Sequence, residues 1–166
     1  MSWGDSMEKE YIGNVVTTHG IKGELRIKSN FQFKDKVFKV GNKIIIDDKN
    51  YTIKSHRVHK DFDMVTLNDY TNINEVLFLL KKKVFFLKSD LELNDDEVLD
   101  SELLTYQVLT DDNKCGIIKE IFFGGANNKI IRVLFDREVL IPLNSPMIVK
   151  IDKKEKKIFV KLLKGI

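Results

Sequence analysis

The 166-residue chain contains a single cysteine, Cys115. An internal disulfide and an all-cysteine metal site are therefore excluded, and such sparse usage fits a reducing cytosol. No apolar run approaches the roughly 20 residues needed to cross a bilayer. Ile44-Ile45-Ile46, for instance, is closed on both sides by Lys43 and Asp47. The opening Met1-Ser2-Trp3-Gly4-Asp5-Ser6 is too polar for a secretory signal. It reads as a leader or cloning remnant over residues 1–6, with Met7 as the native start. These features place the protein in the cytoplasm with no membrane partner.

Other things are missing too. There is no low-complexity tract and no repeat between the halves. Gly124-Gly125-Ala126 lacks the lysine and hydroxyl residue of a phosphate-binding loop. A strong charge of one sign is also lacking: 28 Lys and Arg stand against 25 Asp and Glu, a net +3 with a pI near 8.8. That balance permits a ribonucleoprotein partner without requiring one. Lysine, isoleucine and asparagine take places that arginine and alanine fill elsewhere, the mark of an AT-rich genome. A surface lysine accordingly carries little functional weight by itself.

What remains is a globular composition, 43% hydrophobic and 32% charged, organised in short β-type segments. Glu24-Leu25-Arg26-Ile27-Lys28 alternates polar and apolar, as a half-buried strand does. Further strands are expected at Tyr11 to Val16, Lys43 to Asp47, Tyr51 to Val58, Met64 to Leu67 and Val84 to Leu87. A second series runs through Tyr106 to Leu109, Gly116 to Phe123, Lys129 to Phe135, Glu138 to Ile141, Ile148 to Ile151 and Lys157 to Leu162. In the last of these Ile158, Val160 and Leu162 share one face. Many short strands between Gly, Asn and Asp turns indicate barrels or sandwiches.

One helix is expected, with Ile73, Val76, Leu77 and Leu80 as its apolar stripe and Asn72 with Glu75 as a capping box. Between the two strand series lies an acidic stretch containing Asp90, Glu92, Asp95, Asp96, Glu97, Asp100 and Glu102. A linker near Ser89 to Asn94 divides the chain into domains at 7–88 and 95–166, each large enough for its own core.

No catalytic constellation emerges, so no enzymatic activity is expected. The histidines are His19, His56 and His59, without zinc-type spacing. His56 and His59 differ in strand parity and should face opposite sides. They read as exposed or turn-packing residues, and no metal or other cofactor is expected. Cys115 reads as a small core residue, since no partner base is evident.

The turn between the first two strands carries a longer pattern. Ile12-Gly13-Asn14-Val15-Val16-Thr17-Thr18-His19-Gly20-Ile21-Lys22-Gly23-Glu24-Leu25-Arg26-Ile27-Lys28 resembles the N-terminal signature of the RimM family, centred on His19, Gly20, Ile21, Lys22 and Gly23. Physically, Gly20 and Gly23 supply backbone angles that let two strands reverse tightly around Ile21. In the second half, Gly116 to Ile121, Gly125-Ala126-Asn127-Asn128 and Ile131-Arg132-Val133 resemble the first strands of that family's PRC barrel. Glu138 to Pro142, Val149 to Asp152 and Lys157 to Val160 resemble its closing strands. Both signatures, in this order, cover about Met7 to Ile166.

The resemblance implies a mostly β fold. A RimM-type, translation-factor-like β-barrel would be joined by a short linker to a PRC barrel, with one short helix in the first domain. It implies a monomeric, non-enzymatic assembly factor that binds the free small ribosomal subunit and its rRNA. Such a factor helps mature the subunit head and promotes processing of 16S rRNA, with its PRC barrel contacting ribosomal protein S-nineteen. The family usually places two adjacent aromatics where this chain has Val98 and Leu99. On the resemblance, Glu97, Val98, Leu99 and Asp100 form the ribosomal-protein contact: an apolar pair within an anionic rim, or else a seal for the base of the barrel.

A rival reading is a direct RNA-binding module. Lys81, Lys82 and Lys83 with Phe85 and Phe86, or Lys150, Lys153, Lys154, Lys156 and Lys157, would hold phosphates while rings stack on bases. Against it, Phe85 and Phe86 read as core residues of a strand.

Overall fold

A computed structural model of the chain describes residues 8–125 and 128–163. The leader expected at residues 1–6 lies outside the described residues. The chain divides into two compact units, Met1–Glu92 and Leu93–Ile166.

The first unit contains β1 (Lys9–His19), β2 (Glu24–Lys28), a single helical turn α1 (Lys34–Val37), β3 (Lys43–Ile46), β4 (Lys49–His59), β5 (Phe62–Leu67) and β6 (Lys83–Leu87). The six strands form a closed barrel in the order β1-β2-β5-β4-β3-β6, with β6 returning to β1. Closure bends the long strands, and β1 and β4 each carry register shifts, at Tyr11/Gly13, Val15/Thr17 and Ile53/Ser55. Alternation then decides the interior: Leu25 and Ile27 of β2, Val65 and Leu67 of β5, and Ile44 and Ile46 of β3 are buried in one core with Ile12, Val15 and Val84. Each such side chain contributes roughly 1.5–3 kcal/mol by leaving water.

The expected helix at Ile73–Leu80 is instead two consecutive 3-10 turns, Ile73–Glu75 and Leu77–Leu79. The capping box forms as expected: Asn72 accepts from the Asn74 amide, and Glu75 accepts from the amides of Thr71 and Asn72. The apolar stripe changes because a 3-10 turn repeats every three residues rather than 3.6. Val76 and Leu79 are buried while Leu77 is exposed. The segment lies across one end of the barrel, tied by the Ile73 amide donating to the Ile21 carbonyl at 2.9 Å and by Lys81 N–H donating to Val15 O at 2.7 Å.

The second unit contains α2 (Asp100–Leu103), β7 (Gln107–Thr110), β8 (Cys115–Phe123), β9 (Lys129–Leu134), β10 (Glu138–Pro142), β11 (Ile148–Asp152) and β12 (Lys157–Val160). Its strands form one six-stranded sheet, β10-β9-β8-β7-β12-β11, curled as a half-barrel. Among the described residues no ladder joins β10 to β11. All neighbours are antiparallel except β12 and β7, which pair in parallel with Ile158 opposite Val108. A second core gathers Val98, Leu103, Tyr106, Val108, Ile118, Ile131, Val133, Ile141, Ile158 and Val160.

Cys115, expected in the core, is exposed. On β8 the buried positions are Gly116 and Ile118, so parity sends position 115 outward. The same rule separates the two adjacent phenylalanines of β6. Phe86 is a core residue, while Phe85 packs outside the core, edge-on to Tyr11 and beneath the Lys9 ammonium.

Candidate functional site

The signature turn joins β1 to β2, with His19 opposite Glu24 at the end of the ladder. Gly20 and Gly23 have φ of +74° and +84°, the left-handed region where a side chain is strained. At Gly23 there is a further constraint: a Cβ would stand 2.8 Å from the Asn72 carbonyl oxygen. Ile21, at the tip, is 80% exposed. The turn borders a cavity of about 400 Å³ lined by His19, Gly20, Ile21, Lys22, Glu24, Ser55 and Thr66.

Strand pairing spreads this site across the outer face of the barrel. Leu25, Ile27, Val65 and Leu67 face inward, so Glu24, Arg26, Lys28 and Met64 face outward. Thr17 pairs with Arg26, Arg26 with Met64, and Met64 with Arg57, one row across four strands. Beside it, His59 pairs with Phe62. Arg57 donates twice to the Glu24 carboxylate, at 2.9 and 2.8 Å. This bidentate pair holds the Glu24 carboxyl below the ordinary carboxylate range. Arg26 Nη2 donates to His19 Nδ1 at 3.1 Å. Because a guanidinium has no acceptor, the ring proton of His19 is left on Nε2.

The rings of His19 and His59 lie 5.9 Å apart. Desolvation first, and then the positive charges of Arg57, Lys60 and Arg26, lower the His59 pKa from its ordinary value. Arg26 and Lys28 both stand over the Phe62 ring, at 5.1 and 5.6 Å from its centroid. Of this group, His19, Lys22 and Gly23 belong to the expected signature. Arg26, Arg57, His59 and Phe62 were not singled out as a group from sequence. Two signals for them exist: the outward parity of β2, and the placing of two of only four arginines in a lysine-rich chain.

His56 is elsewhere. It donates from Nε2 to Asp63 Oδ1 at 2.8 Å and stacks on the core residue Phe38. Asp63 is 1% exposed, and Lys34 Nζ stands at ion-pair distance, 3.1 Å, from its other oxygen. This trio neutralises a buried carboxylate and has a structural explanation. The parity argument separating His56 from His59 thus agrees with their different surroundings. Among the described residues no group of three or more His, Cys, Asp or Glu is placed to hold a metal ion.

Of the two roles open to the segment carrying Glu97, Val98, Leu99 and Asp100, exposed anchor or seal of the barrel base, the burial of its apolar pair fits the seal. Val98 is 8% and Leu99 3% exposed, and Val98 belongs to the second core. Leu99 also receives the Leu103 amide on its carbonyl, capping α2. Glu97 accepts from the Asn94 amide at 2.8 Å, and Asp100 pairs with Lys129 at 2.8 Å. The exposed carboxylates nearby are those of Asp95, Asp96 and Glu102.

The lysine clusters considered for RNA fare unevenly. Lys82 pairs with Asp47 at 3.2 Å and Lys9 with Asp48 at 2.7 Å, so acid residues line the groove beside Lys81, Lys82 and Lys83. Lys150 stands 3.9 Å from Asp152, and Lys153 donates to the Asn94 carbonyl.

A model of the RimM N-terminal domain matches residues 11–91, and one of the RimM PRC barrel domain matches residues 100–166. The chain belongs to the RimM family. Ribosome maturation factor RimM of Ligilactobacillus salivarius is 36% identical, with 93% of this chain and 96% of that protein aligned. Ribosome maturation factor RimM of Staphylococcus saprophyticus is 34% identical over 95% and 98%. The solved N-terminal domain of RimM from Thermus thermophilus aligns at 17% identity with 52% of this chain and 98% of its own, with a TM-score of 0.46. As a RimM family member, the chain is a non-enzymatic ribosome maturation factor. Among its described residues no helix is long and apolar enough to cross a membrane.

Proposed function

We propose that this chain binds the free small ribosomal subunit in the cytoplasm, assists assembly of the subunit head and promotes processing of 16S rRNA. Its second domain contacts ribosomal protein S-nineteen in this reading. The observation that carries it is the match of both family domains, in order, over nearly the whole chain. The contact centres on the acidic segment before β7. Val98 and Leu99 are buried there, so they hold the segment in shape while Asp95, Asp96 and Glu102 meet a basic partner. Such a rim mainly speeds and orients encounter. Glu97 and Asp100, each already engaged, position the rim from behind.

The test is recovery of the tagged protein from its own cells, with sedimentation separating free small subunits from whole ribosomes. The expected result is co-migration with free small subunits. Replacing Asp95, Asp96 and Glu102 together by lysine should slow association with purified S-nineteen. Absence of small subunits sinks the whole reading. An unchanged association rate moves the S-nineteen contact to another face of the domain.

A further inference from the structure

The outer face of the first barrel concentrates cations that its own carboxylates do not neutralise. Glu24 spends both oxygens on Arg57. Among the described residues Lys22, Arg26, Lys28 and Lys60 have no carboxylate at ion-pair distance, and the neighbouring acid is Asp61 in the β4–β5 turn. Elsewhere some basic groups are paired, Lys9 with Asp48, Lys82 with Asp47, and Arg132 with Glu120 and Glu138, so what marks this face is the grouping of its cations around one aromatic ring. Arg26 Nε is buried without a hydrogen-bond partner, an uncommon state for a strong donor. Its guanidinium is nonetheless held in place by His19 on one side and the Phe62 ring on another. Lysine abundance does not account for the arginines: the chain has four, and two of them stand here.

From this arrangement we infer that the Arg26–Lys28–Phe62 face, with Lys22, Lys60, His19 and His59, is a contact surface for the phosphodiester backbone of RNA. The inference rests on the reading that the chain acts on the assembling small subunit, and it adds a second contact, on the other domain, of a different chemistry. Planar guanidinium and imidazole groups beside a phenyl ring both hold phosphates and stack on bases. An acidic protein would also answer the charge. The ring and guanidinium faces of Phe62 and Arg26 favour RNA, which offers both a phosphate and a stacking base, and an acidic protein is an outcome of the test.

The experiment uses the full chain with R26Q/K28Q substituted. Binding of a fluorescein-labelled, mixed-sequence RNA of about 20 nucleotides is followed by anisotropy from roughly 50 to 200 mM salt. The parent should show a linear fall of log K with log salt. The variant should bind about tenfold more weakly, with the slope reduced by about 1.4, two single-strand phosphate contacts at ~0.7 each. K154Q/K156Q, on the second domain, serves as control and should change neither quantity. A second variant, K28Q/K60Q, touches only exposed lysines and keeps the test open should R26Q/K28Q misfold. A slope equal to the control's in both variants overturns the inference. Equal displacement of the RNA by polyglutamate of similar length overturns it in favour of an acidic protein. S-nineteen binding should be unchanged in either first-domain variant, so failure of this surface is distinct from failure of the proposed function.

Discussion

An alanine at Gly23 meets two separate penalties, and its neighbour Gly20 supplies the control. Both residues sit at positive φ, +84° and +74°, where an added Cβ costs roughly 1–2 kcal/mol. At Gly20 nothing lies within 4 Å of that Cβ. At Gly23 it would stand 2.8 Å from the Asn72 carbonyl oxygen and 3.0 Å from the carbonyl carbon, both backbone atoms. Asn72 cannot simply retreat. Its amide donates to Glu75 in the capping box, and the next residue, Ile73, donates to the Ile21 carbonyl inside the same turn. Moving Asn72 therefore pulls on the segment that closes the barrel end, an overpacking cost of about 1–3 kcal/mol.

Gly23→Ala should lose about 2–5 kcal/mol in all, against about 1–2 for Gly20→Ala. For a domain of this size, a loss of about 3 kcal/mol lowers Tm by roughly 12–24 °C. Urea unfolding followed by far-ultraviolet circular dichroism should resolve the two variants. Hydrogen exchange should show protection of the Ile73 amide lost in Gly23→Ala and kept in Gly20→Ala. Equal losses in both variants, or a Gly23→Ala protein as stable as the parent, would refute the idea that contact with Asn72 matters.

Val98→Ala with Leu99→Ala should destabilise the second domain by about 2–5 kcal/mol and leave S-nineteen affinity per folded molecule unchanged, because both side chains are buried. Normal melting with weakened binding would return them to the interface. The Glu24 carboxyl, depressed by Arg57, favours the folded state at pH values above its unfolded pKa and loses that advantage as acid protonates it. Glu24→Gln should accordingly be less stable than the parent near neutrality, with the gap closing below the ordinary carboxylate range. Urea midpoints across pH check the sign. Cys115 is exposed, so a disulfide reagent should label it fully without unfolding; labelling only at the unfolding rate contradicts the assignment. Fragments ending at 92 and beginning at 93 should each unfold cooperatively. A cut at 88 should weaken the first, since Leu91 packs on its core.

Local patterning by itself determined where strands form. Short apolar or alternating segments between turn residues located all twelve strands of the described residues, from Glu24–Lys28, matched residue for residue, to Lys157–Val160, two residues shorter than expected. The glycines at the signature turn were also readable, because positive φ leaves few other choices. Local chemistry located the capping box at Asn72 and Glu75 but not the pitch of what followed. Whether Leu77 or Leu79 is buried depends on the barrel end it must cover, and alternation of 3.6 against 3.0 residues is ambiguous over eight positions.

Only tertiary pairing decided the rest. The first sheet closes because β6 returns between β3 and β1, whereas the second remains open with β12 running parallel to β7. Those partners are far apart in sequence, and alternation within a strand says nothing about which strand lies beside it. For the same reason the group around Arg26 escaped notice. His19, Arg26, Arg57 and Phe62 come from four strands and meet only through register. Val98 and Leu99 show the opposite limit: two aliphatics in an acidic stretch read equally well as anchor or core, and the packing of Val98 into the second core made the choice.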